Sequence, residues 1–98
     1  MASSTPRQRI AEVLRHGPFS VFELSRKLSL PVKAVLEDLE HVRRSVRSPN
    51  LWIVDDAQCL SCGFVFHGRH RLNRPSRCPR CRSEDLQDAR YAIQSSHP

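Results

Sequence analysis

Apolar residues in the first half of the chain recur at helical spacing. Ile10, Val13 and Leu14 stand at i, i+3 and i+4, the stripe of a helix with one buried face. Ahead of them, Thr5-Pro6-Arg7-Gln8 is a capping box with proline at the first helical position. Gly17-Pro18 closes the element. Ser20-Val21-Phe22-Glu23 is a second capping box and opens a short helix to about Leu28. Ser29-Leu30-Pro31 reads as a tight turn. After it, Val32, Val35, Leu36, Leu39 and Val42 line one face of a third helix that runs to about Val46. A short second helix, a tight turn and a longer third helix predict a helix-turn-helix. A plain three-helix bundle shares the periodicity but does not require that pairing.

Beyond Ser48-Pro49-Asn50 the pattern changes. Leu51-Trp52-Ile53-Val54 and Arg90-Tyr91-Ala92-Ile93 are rich in strand formers. In a winged helix, two strands after the third helix make a hairpin whose tip is the wing, and here residues 57–88 occupy that tip. Trp52 is expected in the core beside Ile53 and Leu39. Within the inserted segment, Phe64-Val65-Phe66 alternates as a strand, with Leu72 returning opposite it.

The insertion carries Cys59-Leu60-Ser61-Cys62 and Cys78-Pro79-Arg80-Cys81, with fifteen residues between the pairs. This is the spacing of a four-thiolate metal site. Two residues between cysteines let one tight turn aim both sulfurs at one point, and two such turns make a tetrahedral cage. With every position filled by protein, the site is structural. Zinc is the expected ion, one per chain, with iron the runner-up because it accepts the same geometry. Disulfides would imply secretion, and no signal peptide is visible. A redox pair would imply a thioredoxin-like pattern that is absent here. His67 and His70 are read as surface or packing residues, since Cys59, Cys62, Cys78 and Cys81 complete the shell. No apolar run reaches the length of a membrane span, and a reducing cytoplasm is the expected compartment.

Taken together, a helix-turn-helix at Ser20–Val46 followed by Cys59-x2-Cys62-Gly63 and Cys78-Pro79-x-Cys81 resembles a known family. Its members are predicted transcriptional regulators in which a winged helix is fused to a rubredoxin-like zinc ribbon, best known from archaea and some anaerobic bacteria. The resemblance spans about Thr5 to Ile93. It implies an α+β fold: a winged helix-turn-helix of three helices plus a short β-hairpin, with a four-cysteine zinc ribbon inserted at the wing. The expected division is 5–56 for the winged helix-turn-helix, 57–88 for the ribbon, 89–94 for the returning strand and 95–98 for a tail. The resemblance also implies DNA binding and zinc on the four cysteines. One position departs from the pattern: the family commonly has glycine after the last cysteine, and here Arg82 stands there.

Charge refines the choice of partner. The formal net charge is +6, and 14 of the 16 basic residues are arginine, the residue of bidentate phosphate and guanine contacts. A four-thiolate zinc centre contributes about −2, leaving the loaded chain near about +4. The third helix is an uneven candidate for reading DNA. Opposite its apolar face stand Lys33, Ala34, Glu37, Asp38, Glu40, His41 and Arg44, and three carboxylates beside phosphates are costly. Lys33 at its start and Arg43, Arg44 and Arg47 at its end suit phosphate contact, although a helix C-terminus attracts cations by itself. The most basic stretch is Arg69–Arg77, where Arg69, Arg71, Arg74 and Arg77 are candidate nucleic-acid contacts. A solvated loop is the alternative, and Arg77, Arg80 and Arg82 also suit balancing of the metal centre.

The sequence therefore predicts a non-catalytic, DNA-binding transcriptional regulator with duplex DNA as its partner. Metal loss would unfold the ribbon, implying a metal or redox sensitivity. The alternative is an interaction module of the transcription machinery, with the third helix and the ribbon facing a partner protein. RNA binding would rest on charge alone. No nucleophilic triad or glycine-rich phosphate loop points to an enzyme. A homodimer is compatible with a helix-turn-helix regulator, without a dedicated dimer helix.

Overall fold

The computed structural model describes residues 5–68 and 72–95. Three helices come first: α1 (Pro6–Leu14), α2 (Val21–Leu28) and α3 (Val32–Ser45). Both capping boxes form. The Thr5 hydroxyl accepts from Gln8 N–H and the Ser20 hydroxyl from Glu23 N–H, and each partner side chain reaches back to the cap backbone. Satisfying these otherwise orphaned donors fixes where α1 and α2 begin. Ser29 ends α2 in the left-handed region at φ 54, and the Ser25 hydroxyl donates to Leu30 O, which holds the turn into α3. The helix α3 stops one residue short of Val46, which is already extended.

Two strands follow, separated by the inserted segment: β1 (Leu51–Asp55) and, at the far end of the chain, β4 (Arg90–Gln94). They pair antiparallel with Trp52 opposite Ile93 and Val54 opposite Tyr91. The connection between α1 and α2 joins the same sheet, because Phe19 and Tyr91 exchange backbone hydrogen bonds of 3.0 and 2.9 Å. The core gathers Ile10 and Leu14 of α1, Val21, Leu24 and Leu28 of α2, Val35, Leu39 and Val42 of α3, and Tyr91 and Ile93 of β4. Trp52 packs against this core and stacks on Tyr91, with ring centroids 5.6 Å apart. Ile53 does not join it. It is 38 % exposed, because successive strand residues face opposite sides and Trp52 takes the inner one.

Between β1 and β4, the insertion contains β2 (Gln58–Cys59) and β3 (Leu86–Gln87), paired antiparallel. The strand expected at Phe64–Phe66 is reduced to a single bridge between Gln58 and Val65, while the other edge of β2 pairs with β3. Leu72 does not return opposite that segment. It packs against the helical core, and the Tyr91 hydroxyl donates to its carbonyl at 3.5 Å. Among the described residues, those buried in the insertion are Ala57, Pro75 and the first cysteine of each pair, Cys59 and Cys78. So short a segment has no apolar core of its own, which leaves the metal to hold it. Among the described residues, no helix is long and apolar enough to cross a membrane.

Candidate metal centre and basic surface

Two near-identical turns build the centre. In the first, Gly63 N–H donates to Cys59 O at 2.9 Å and Cys59 N–H to Phe64 O at 2.7 Å. In the second, Arg82 N–H donates to Cys78 O at 2.8 Å and Cys78 N–H to Ser83 O at 2.8 Å. Each turn closes through a left-handed residue: Gly63 at φ 81 and Arg82 at φ 64. Arg82 thus adopts the conformation that glycine would adopt without steric cost. The turns are linked by Leu60 N–H donating to Asp85 O at 2.9 Å and by the Ser61 and Ser83 hydroxyls 2.9 Å apart.

These turns bring Cys59, Cys62, Cys78 and Cys81 together, all four sulfurs within 4.8 Å of one another. Cys59 and Cys81 Sγ are 3.5 Å apart, Cys62 and Cys78 Sγ 3.6 Å. A tetrahedral zinc with bonds of about 2.3 Å to sulfur needs edges of about 3.8 Å, so the cage fits the ion. A disulfide needs about 2.05 Å, and all four cysteines are unbridged. Cys59 and Cys78 are buried, while Cys62 and Cys81 reach the surface. The N–H groups of Arg80 and Cys81 donate to Cys78 Sγ at 3.3 and 3.5 Å, the stabilisation a thiolate ligand needs. His67 lies outside the cage, paired with Asp56 at 3.4 Å.

The thiols titrate far apart. Burial pushes Cys78 up, but the N–H groups of Cys81 and Arg80 and the Cys62 thiol outweigh it and bring it down to about 7. For Cys81 the Ser83 N–H lowers the thiol, yet burial and the other three sulfurs prevail and hold it at about 12. Zinc binds thiolates, so protons compete with it. At neutral pH the ion must expel at least the Cys81 proton, and below about 7 it must also displace that of Cys78. Apparent zinc affinity is therefore expected to rise at least about tenfold per pH unit between 7 and 8, and more steeply below 7. A competing chelator titrated at pH 6, 7 and 8 reads this directly, and a flat profile would show thiols already ionised.

The arginines sort differently from their sequence order. Arg74 clasps Asp88 through two hydrogen bonds, that of Nη2 at 2.8 Å, and its guanidinium lies 4.3 Å from the Phe22 ring centroid. It ties the ribbon to α2 while its side chain stays half exposed. No spacing rule marks this anchor. Arg43 pairs with Glu40, and Arg44 approaches the same carboxylate at 3.3 Å. Asp38 is held by Arg7 at 3.1 Å. Lys33, Arg47 and Arg77 are exposed, while Arg69, His70 and Arg71 lie outside the described residues.

A helical body carrying two cysteine knuckles around one structural zinc defines a zinc-ribbon protein of the rubredoxin-like type. Residues 5–52 match the family model described as PF0610-like, N-terminal, and residues 56–96 the PF0610 rubredoxin-like zinc beta-ribbon domain. The chain is 37 % identical to protein PF0610 from Pyrococcus furiosus, whose solution NMR structure it matches with a TM-score of 0.75 over 95 % of this chain and 91 % of that one. The chain belongs to the PF0610-like family. No curated protein matches it.

Proposed function

We propose that the chain is a cytoplasmic, non-catalytic DNA-binding transcriptional regulator, a winged helix-turn-helix in which the zinc ribbon occupies the wing. The α2–turn–α3 unit, the β1–β4 hairpin after α3 and the Phe19 bridge to β4 support the winged-helix reading. The closed four-thiolate cage supports a structural role for the metal.

The observation that carries the DNA reading is the surface of α3. It is buried along Val35, Leu39 and Val42 and open along Lys33, Glu37, His41 and Arg44. Two of its three acidic side chains, Asp38 and Glu40, are neutralised by arginines of the same chain, which lowers the repulsion a phosphate backbone would meet. Lys33, Arg47 and Arg77 supply phosphate contacts, with Arg69 and Arg71 as further candidates. Arg43 and Arg44 shield Glu40.

The test is binding to random duplex DNA across a salt series. With about four phosphate contacts, affinity is expected to fall roughly 100-fold between 50 and 200 mM salt, and Lys33→Ala or Arg47→Ala should each reduce the slope by about 1. No binding at 50 mM salt would instead support the interaction-module reading. Glu37 in the middle of the open face and Leu60 of the first knuckle, 56 % exposed, favour that alternative.

A further inference from the structure

The β1 edge of the helical body's sheet is open, and the direction of its backbone groups follows from the opposite side. Phe19 N–H donates to Tyr91 O, and Tyr91 N–H to Phe19 O. The Tyr91 backbone therefore points away from β1. The bonds between β1 and β4 must then run through the pairs Leu51–Gln94, Ile53–Ala92 and Asp55–Arg90. By alternation, the N–H and C=O groups of Trp52 and Val54 point outward from β1. Among the described residues, no backbone group meets them.

This edge carries little of the usual protection, a single charge at its end in Asp55. Natural proteins blunt open strands with lysine, proline or a bulge, and Leu51-Trp52-Ile53-Val54 contains none of these. Leu51 is 53 % exposed, Ile53 38 % and Val54 43 %.

We propose that the edge is an interface for a second copy of this chain, paired antiparallel through β1 about a two-fold axis at Ile53. In that register Trp52 lies opposite Val54 of the second copy, and Val54 opposite its Trp52. These are the residues whose backbone groups point outward, so both pairs close with hydrogen bonds. Ile53 meets Ile53 of the second copy in the closer, non-hydrogen-bonded pair. Leu51 faces Asp55, so no like charges meet across the seam. Of the registers with matching hydrogen-bond parity, this one pairs all five residues of β1. Leu51, Ile53 and Ala92 of both copies then form one apolar stripe. A seam of this length is small beside the roughly 1,200–2,000 Å² of a standard interface. The dimer is accordingly weak and concentration-dependent.

Sedimentation equilibrium of the zinc-loaded chain from about 5 µM to about 1 mM tests this, together with amide exchange at Trp52 and Val54. The expected result is a monomer–dimer equilibrium in which those two amides become protected as dimer forms. Val54→Pro removes an outward N–H and leaves the β1–β4 bonds intact. Ile53→Lys places like charges on the axis and keeps the test decisive should the proline variant not fold. Either folded variant should weaken the dimer at least about tenfold without shifting the resonances of α1–α3. A monomer throughout, a dimer unaffected in a folded variant, or a dimer whose Trp52 and Val54 amides exchange freely would overturn the proposal.

Discussion

Cys78→Ser is expected to abolish zinc binding and unfold the ribbon while leaving the helical body folded. Cys78 is fully buried, and its sulfur accepts N–H groups from Arg80 and Cys81. A serine oxygen is a shorter and poorer ligand for a soft four-sulfur site. The insertion has almost nothing else to hold it, because two of its buried side chains are themselves ligands. Metal-binding free energy is therefore its folding free energy. The ten buried residues of the body include none from the ribbon, and Leu72 of the insertion only covers their margin. Lengthening the disordered connection between β1 and β4 adds little closure entropy, so the two strands can stay paired. Elemental analysis should show zinc falling from one per chain to near none. Amide spectra should lose dispersion around β2, β3 and the knuckles but keep it in α1–α3. Full zinc retention would refute the ligand assignment, and loss of the entire spectrum would show body and ribbon to be one cooperative unit.

Leu39→Ala should produce one of the largest losses in the body. Leu39 is fully buried at the centre of the α3 face, in the cluster shared with α1, α2 and β4. Removing its branched side chain loses transfer free energy and leaves a cavity, about 2–5 kcal/mol in comparable cores. Small domains have only about 5–15 kcal/mol of stability in all, so a large share of it would go. Thermal unfolding of the zinc-loaded chain should shift down by roughly 15 °C. Leu60→Ala is the control: at 56 % exposure it should change stability by less than about 0.5 kcal/mol. Equal effects at the two positions would contradict the assigned core.

The open edge of β1 and the basic surface bear on each other. If β1 pairs with a second copy, two α3 helices belong to one assembly, the arrangement by which helix-turn-helix proteins read two half-sites. The pairing does not depend on DNA, since its argument uses only strand parity and exposure. The salt series and the sedimentation series can therefore fail separately.

Local signals were legible in the sequence wherever their physics is local. The capping boxes at Thr5 and Ser20, the turn at Ser29–Pro31 and the cysteine spacing each involve groups a few residues apart, so residue type and interval suffice to place them. The buried faces of the helices were legible for the same reason, because a 3.6-residue period requires no knowledge of the partner surface. The left-handed geometry at Arg82 could be anticipated from its equivalence to Gly63. What only the tertiary structure decided are choices among distant partners. Arg7 and Asp38 are 31 residues apart, Arg74 and Asp88 14 apart, and in the sequence each is merely another charge. The folded chain turns an acidic stretch of α3 into a largely neutralised one and gives Arg74 a contact with Phe22 that its sequence position does not reveal. It also reduces the strand expected at Phe64–Phe66 to one bridge with Gln58, and sends Leu72, its expected partner, to the helical core. Ladder partners and ion pairs are settled by which surfaces packing brings within a few ångströms, and that depends on the whole fold rather than on any window of the chain.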